Sequence, residues 1–182
     1  MDLEQILRND DLSAFKQELS KNKKILKHKF SIKDSPILLF SVRVNADKIF
    51  SYLLKNKLVS VNARDNEGTT ALNNACIKND IKKVKMLLKQ EKIIVNANTI
   101  NGKNGLINAS QKGYKDIVNL LLKHGANVRL RETKRTKKSC ANRNAFNMAR
   151  MCGHQNIHNK LIEQKEMNSI RRKSKVRSKS KK

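Results

Sequence analysis

Cys140, Cys152, His154 and His158 fall within 19 residues of one another, and four sulfur and imidazole ligands are what a tetrahedral zinc ion requires. The two histidines, four positions apart, can share a helix face. The remaining spacing argues against a metal, because a 12-step gap followed by Cys-x-His matches no known zinc-ligand pattern. His154 reads instead as a turn residue, His158 as a half-exposed helix residue, and the two cysteines as unpaired thiols. Gly102-Lys103-Asn104-Gly105 suggests a phosphate loop but lacks the preceding glycine at the required spacing. His28 and His124 lie in lysine-rich helix ends, where a cation meets the C-terminal dipole, with no nucleophile or carboxylate pair beside them. Neither catalysis, a metal nor a cofactor is expected.

Charge is the chemistry that remains. A formal net charge of +26 exceeds what solubility needs and attracts nucleic acid, acidic proteins or anionic lipid. Arg171, Arg172, Lys173, Lys175, Arg177, Lys179, Lys181 and Lys182 form a block without an acid, and such blocks stay disordered and act as interaction tails. A nuclear-import signal, a phosphate-binding segment and a merely solubilising tail all fit it. Ser174, after Arg171-Arg172-Lys173, is placed for a basophilic kinase, whose phosphate would reduce the tail's charge by nearly two units.

The elements that position these groups repeat. Asp65-x-x-Gly68-x-Thr70-Ala71-Leu72-x-x-Ala75 is echoed by Gly102-x-Asn104-Gly105-Leu106-x-x-Ala109, and Val61-Asn62-Ala63 recurs as Val95-Asn96-Ala97, each 34 positions on. A fixed period of that length specifies a stacked-repeat architecture. Ser35, Thr70, Asn104 and Asn144 each precede an apolar stretch and carry an oxygen able to cap a helix N-terminus. Pro36 follows Ser35 at a position suited to the first helical turn. Asn79, Gly113 and Gly153 mark sharp turns between paired helices, and Gly125 closes the second helix of its unit. Leucine pairs, Leu87-Leu88 and Leu121-Leu122, end the second helices, and Leu161-Ile162 repeats the order.

These residues resemble the ankyrin repeat over roughly positions 34 to 164. The resemblance implies an all-α solenoid of helix-turn-helix units with short β-hairpin loops: an N-terminal cap at 1–30, repeats at 31–63, 64–97, 98–130 and 131–164 within an array spanning 1–164, and a basic tail at 165–182. Gly153 lies 40 residues after Gly113, so the last repeat carries an insertion near 133–139 that includes Lys134, Arg135, Lys137 and Lys138. The family departs here from its usual proline and histidine, with Ala71, Gly105 and Ala145 at the first position and Asn73, Ile107 and Asn147 at the second. A thinned hydrogen-bond network and modest stability are expected, and Gly105 costs about 1 kcal/mol relative to alanine in a helix.

Ankyrin arrays bind proteins through hairpin tips and first helices. The resemblance places Asn66, Glu67, Thr69, Ile100, Asn101, Lys103 and Arg143 at the tips, and Arg43, Val44, Ile77, Lys78, Gln111, Lys112 and Met151 on the helices. This mixture of apolar residues and mostly basic charges suits an acidic protein partner, with the apolar positions as anchors and the lysines steering approach. The alternative is a nucleic-acid-associated or nuclear-targeted protein gripping phosphates with its tail and insertion. Only seven residues are aromatic, so no base-stacking platform is evident.

Composition sets the remaining bounds. With 38% apolar residues and no apolar run near 18, one elongated domain without a membrane span is expected, and a monomer. Three cysteines and a start of Met1-Asp2-Leu3-Glu4 favour a reducing, intracellular compartment. The lysine, asparagine and isoleucine bias resembles ankyrin proteins of intracellular bacteria, large DNA viruses and some protists, so cytoplasm or nucleus is expected, of its own cell or of a host.

Overall fold

A computed structural model describes residues 2–132 and 143–179, with side chains described through Arg171. Ten helices come in pairs: α1 (Leu3–Arg8) with α2 (Leu12–Lys21), α3 (Ile37–Val44) with α4 (Asp47–Lys55), α5 (Ala71–Ile77) with α6 (Ile81–Leu88), α7 (Gly105–Lys112) with α8 (Lys115–Lys123), and α9 (Ala145–Met151) with α10 (Gln155–Lys179). First helices pack on first helices, α1 on α3, α3 on α5, α5 on α7 and α7 on α9, and α6 packs on α8 in the second layer. A two-residue pairing of β1 (Lys29–Phe30) with β2 (Ser35–Pro36) precedes α3. The protein is thus a mostly helical solenoid.

Each pair turns on one left-handed residue: Asp10, Asn45, Asn79, Gly113 and Gly153 all have positive φ. The N-terminal cap is therefore itself a full helix-turn-helix unit in register with the rest. Asp10 does a second job, because its carboxylate accepts the amides of Lys48 (2.8 Å) and Ile49 (3.0 Å) and so caps α4 from the neighbouring unit. Helix α4 has no side-chain cap of its own.

Thr70, Asn104 and Asn144 accept the amides of Asn73, Ile107 and Asn147 and are N-caps. Ser35 is not. Pro36 occupies the cap position of α3 without a side-chain bond, and the Ser35 hydroxyl is buried and donates to the Ile32 carbonyl. The physical reason is the short β pairing: Ser35 is held in a strand facing Phe30, one residue too early to reach the first turn.

Leu53, Leu87, Leu121 and Leu161 occur at one point in successive second helices, and none is exposed. Phe30 stacks on Phe40 with ring centroids 4.2 Å apart, sealing the first unit against the second. Between units, Asn62 accepts the Ile94 amide and donates to the Lys92 carbonyl, and Asn96 does the same to Asn127 and Gly125. These are the two asparagines of the repeated Val-Asn-Ala. At the usual histidine position, Asn73 still donates to the Ala97 carbonyl, but its side-chain oxygen is buried without a partner.

Gly105 has a structural reason. A Cβ there would lie 2.9 Å from the Cys76 sulfur of the neighbouring repeat. Gly105→Ala is therefore expected to lose most or all of the ~1 kcal/mol that alanine gains in helix propensity, since overpacking costs roughly 1–3 kcal/mol. In a Cys76→Ala background the same change is expected to stabilise. Urea midpoints of the four chains test this, and equal stabilisation in both backgrounds would remove the contact from the explanation.

Helix α10 corrects the tail. The expected disordered segment beginning at 165 is helical through Lys179, continuing the last repeat without a break. The segment holds no glycine or proline, and its lysines, arginines, Glu166 and Met167 are good helix formers. Arg129 from the preceding repeat donates to Ser169 at 3.0 Å and ties the extension down. Lys181 and Lys182 lie outside the described residues, as do Lys134, Arg135, Lys137 and Lys138 of the insertion.

Candidate protein-binding surface

Hairpin stems place the tips. The Asp65 amide donates to the Thr69 carbonyl (3.2 Å), Thr99 to Lys103 (2.8 Å) and Glu132 to Arg143 (3.0 Å), so three stems recur, with residues 66–68, 100–102 and 133–142 between their ends. Neighbouring tips are bonded to each other, Asn66 N–H to the Lys33 carbonyl and Ile100 N–H to the Glu67 carbonyl. Among the described residues, the tips at 33, 66–67 and 100 are thereby joined through the backbone.

Between two tips and the helices α5 and α7 lies a cleft of about 360 Å³. Seven of the sequence-selected residues line it: Glu67, Thr69, Ile77, Asn101, Lys103, Gln111 and Lys112. Thr99 and Asn108 line it as well and escaped sequence reasoning, although Asn108 is signalled by its place 34 after Asn74. Ile100, at 68% exposure, Ile77 at 42% and Met151 at 53% are exposed apolar residues of the selected set. Met151, Ile100, Asn66, Val44, Lys78, Arg43 and Arg143 are not among the cleft's lining residues.

Several of the selected charges are bound within the molecule. Arg43 is a structural residue: Nη2 meets the fully buried Asp65 carboxylate at 2.6 Å, and Nη1 donates to the Ile32 carbonyl at 2.8 Å. Glu67 pairs with Lys33 at 2.6 Å, and Lys78 donates to the Arg43 carbonyl and to Asn45. Burial lowers the pKa of Lys78, with the nearby Lys83 charge adding to the effect. Lys103 and Arg143 flank Glu132 at 3.9 and 3.6 Å. Lys112 is exposed on the cleft rim.

The two histidines of the Cys-His set are engaged by the backbone. His154 bonds the Gln111 carbonyl through Nε2 and His158 the Phe146 carbonyl through Nδ1, so both rings hold backbone. Cys140 is outside the described residues, and among those described no cluster of three metal-ligating side chains occurs. Burial pushes the Cys76 thiol up to about 12, which makes it a small apolar side chain at neutral pH. No helix among the described residues is long and apolar enough to cross a membrane.

The sequence matches the family model for ankyrin repeats over residues 4–99 and 38–132. The chain belongs to the ankyrin-repeat family. The match starts within the N-terminal unit expected as a cap over 1–30, in accord with the helix pair found there. A search of curated proteins finds no match. Ankyrin repeats are protein–protein interaction modules, and proteins built of them are generally scaffolds without catalytic activity.

One residue breaks the repeat's own apolar pattern. Lys83 stands where the other units have Ile49, Ile117 and Ile157, and it is buried. Its ammonium bonds Asp80 at 2.6 Å and Asp47 of the preceding unit, and lies 5.8 Å from the Phe50 ring centroid. Burial alone would lower the Lys83 pKa, but the two carboxylates outweigh it and the net shift is upward. For Asp80, burial raises and the Lys83 bond lowers, with a net downward shift. The Asp80 contribution is therefore present above its ordinary value of 3.8 and lost as pH falls through the depressed one, and the Lys83 contribution is present below 10.5 and lost as pH rises through the raised one. Lys83→Ile is expected to show a flatter stability profile than the natural chain at both extremes. Parallel profiles in denaturant titrations across pH would show that the triad adds nothing.

Proposed function

We propose that this ankyrin array is a non-enzymatic scaffold that captures a protein partner through the cleft between its hairpin tips and first helices. The observation that carries the reading is the cleft itself, where seven selected residues meet, the exposed Ile77 among them, close to a hairpin tip presenting Ile100. Exposed aliphatic anchors desolvated by a partner supply affinity, while cations at the rim chiefly speed association. Lys112 and the net charge of +26 favour an acidic partner. The buried thiol of Cys76 and the free thiol of Cys152 suit a reducing compartment.

Affinity capture with the full chain tests the reading. Ile77→Ser with Ile100→Ser is expected to weaken retention of the specific partner by about thirtyfold, the size of a typical two-residue anchor loss of 2 kcal/mol. Retention unchanged by that pair would exclude the cleft. The alternative, phosphate binding by the basic C-terminal helix and the insertion, rests on the like-charged run from Arg171 to Lys179 on one helix. Capture of nucleic acid that falls steeply with salt and ignores the isoleucine changes would favour it.

A further inference from the structure

The charges around the proposed protein-binding cleft are largely matched within the molecule, and a different place holds the unmatched ones. Two hollows, of about 810 and 460 Å³, lie where the second helix of one unit hands over to the next hairpin. They share Leu58, Val59 and Ser60, so they adjoin at the loop after α4 and together make a trough-like surface between the 3-10 turn Lys23–Lys27 and the loop after α6. Each hollow falls within the roughly 300–1,000 Å³ typical of ligand sites. None of the residues selected for the hairpin and first-helix surface lines it.

Its floor is aliphatic: Leu26, Leu58, Val59 and Val61 are all half-buried. Its rim is cationic. Lys23, Lys27, Lys55, Lys57, Lys89 and Lys92 are exposed, and none of them has an ion pair among the described residues. Glu91 is the one carboxylate among the lining residues. Lys29 lines it as well, with its ammonium 3.5 Å from the Arg64 carbonyl, and seven lysines around a partly apolar trough repel one another and raise the local affinity for a polyanion.

We propose that this trough binds an extended acidic segment of a partner protein, in which carboxylates meet the lysine rim and intervening aliphatic side chains enter the floor. The chemistry of the lining selects that occupant. A nucleic acid strand wants aromatic platforms for its bases, and no phenylalanine, tyrosine or tryptophan lines either hollow. Lysines are compact point charges suited to scattered carboxylates, whereas bidentate phosphate recognition favours arginine, which is also missing from the lining. A second copy of the chain is a poor occupant, because it carries the same +26. Extended conformation follows from the trough's walls, which are loops and helix ends; a helix would need a broader apolar groove.

The test uses the full chain and three fluorescent probes: a short peptide of alternating glutamate and leucine, the same peptide with serine for leucine, and oligothymidine of equal charge. At physiological salt the glutamate–leucine peptide is expected to bind about tenfold tighter than either of the others. Replacing Lys55, Lys57, Lys89 and Lys92 by glutamate is expected to reduce its binding by at least about tenfold, while Ile77→Ser with Ile100→Ser leaves it unchanged. A control chain with Lys82, Lys115, Lys123 and Lys160 replaced by glutamate should retain most of the binding. Equal affinity for the serine peptide, tighter binding of oligothymidine, or an equal loss in the control chain would each overturn the proposal. If the fourfold variant unfolds on melting, photo-cross-linking of the glutamate–leucine peptide to the natural chain decides instead. Cross-links at 57–62 are expected, and cross-links confined to other segments refute the trough. The unchanged response of the isoleucine variant separates this outcome from failure of the proposed cleft.

Discussion

Arg43→Ala is expected to cost about 3 kcal/mol, because breaking one side of a buried ion pair leaves the other charge uncompensated. Asp65 has no side-chain exposure and accepts three partners: the Glu67 amide at 2.9 Å, the Thr69 amide at 2.7 Å and the Arg43 guanidinium at 2.6 Å. The two amides bind the carboxylate locally and survive the substitution. The guanidinium is what joins α3 to the hairpin of the next repeat, and it also holds the Ile32 carbonyl and the Ser35 hydroxyl. Its loss therefore opens the boundary between two units of a solenoid whose stability is close to a sum over neighbours. Asp65→Asn in the same chain should recover part of the loss by removing the stranded charge. Urea unfolding followed by circular dichroism measures all three chains. A change under about 0.5 kcal/mol for Arg43→Ala would show that the pair is energetically idle.

Gly113→Ala is the second large effect, expected at about 2 kcal/mol or more. Gly113 has a φ of 77°, where an L side chain costs roughly 1–2 kcal/mol, and a Cβ there would lie 2.6 Å from the His154 ring. The ring is fixed by its own bond to the Gln111 carbonyl at 3.2 Å and cannot retreat without losing it. Asn79 fills the same turn one repeat earlier at a φ of 58°, so the left-handed turn by itself tolerates a side chain. The difference is the histidine stacked on Gly113. Combining Gly113→Ala with His154→Ala should restore the steric part and leave the backbone part. Thermal melts that show Gly113→Ala within about 0.5 kcal/mol of the natural chain would contradict the close approach.

Much of this fold was legible because each repeat must turn sharply, cap its first helix and bury a leucine. Those demands fall on single residue types at a fixed period, so Thr70, Asn104, Asn144, Asn79 and Gly113 announced themselves. The N-terminal unit was legible as a cap over 1–30 but not as a helix pair, because its turn residue is Asp10, an acid that also caps a helix of the neighbouring unit. Ser35 misled because a short β pairing, which depends on Phe30, overrode a local capping preference. The basic tail misled because charge repulsion was set against nothing; the helix before it and the Arg129–Ser169 bond supply the missing order.

The candidate surface was legible as a set of positions and illegible as an electrostatic surface. Arg43, Glu67 and Lys103 look like free contact charges in the sequence. Their partners, Asp65, Lys33 and Glu132, are 22, 34 and 29 positions away, and such pairings appear only when repeats stack. Lys83 shows the same limit in reverse, a lysine buried between two aspartates, one of them 36 positions away.

A protein partner seated in the cleft between hairpin tips and first helices must shield backbone amides there. Amide hydrogen exchange of the full chain, alone and with a partner recovered by affinity capture, reads that shielding. New protection is expected at residues 66–69, 100–103 and 111–113, with the second helices α4, α6 and α8 unchanged. Protection that spares the hairpins and appears only along α10 or those second helices would contradict it.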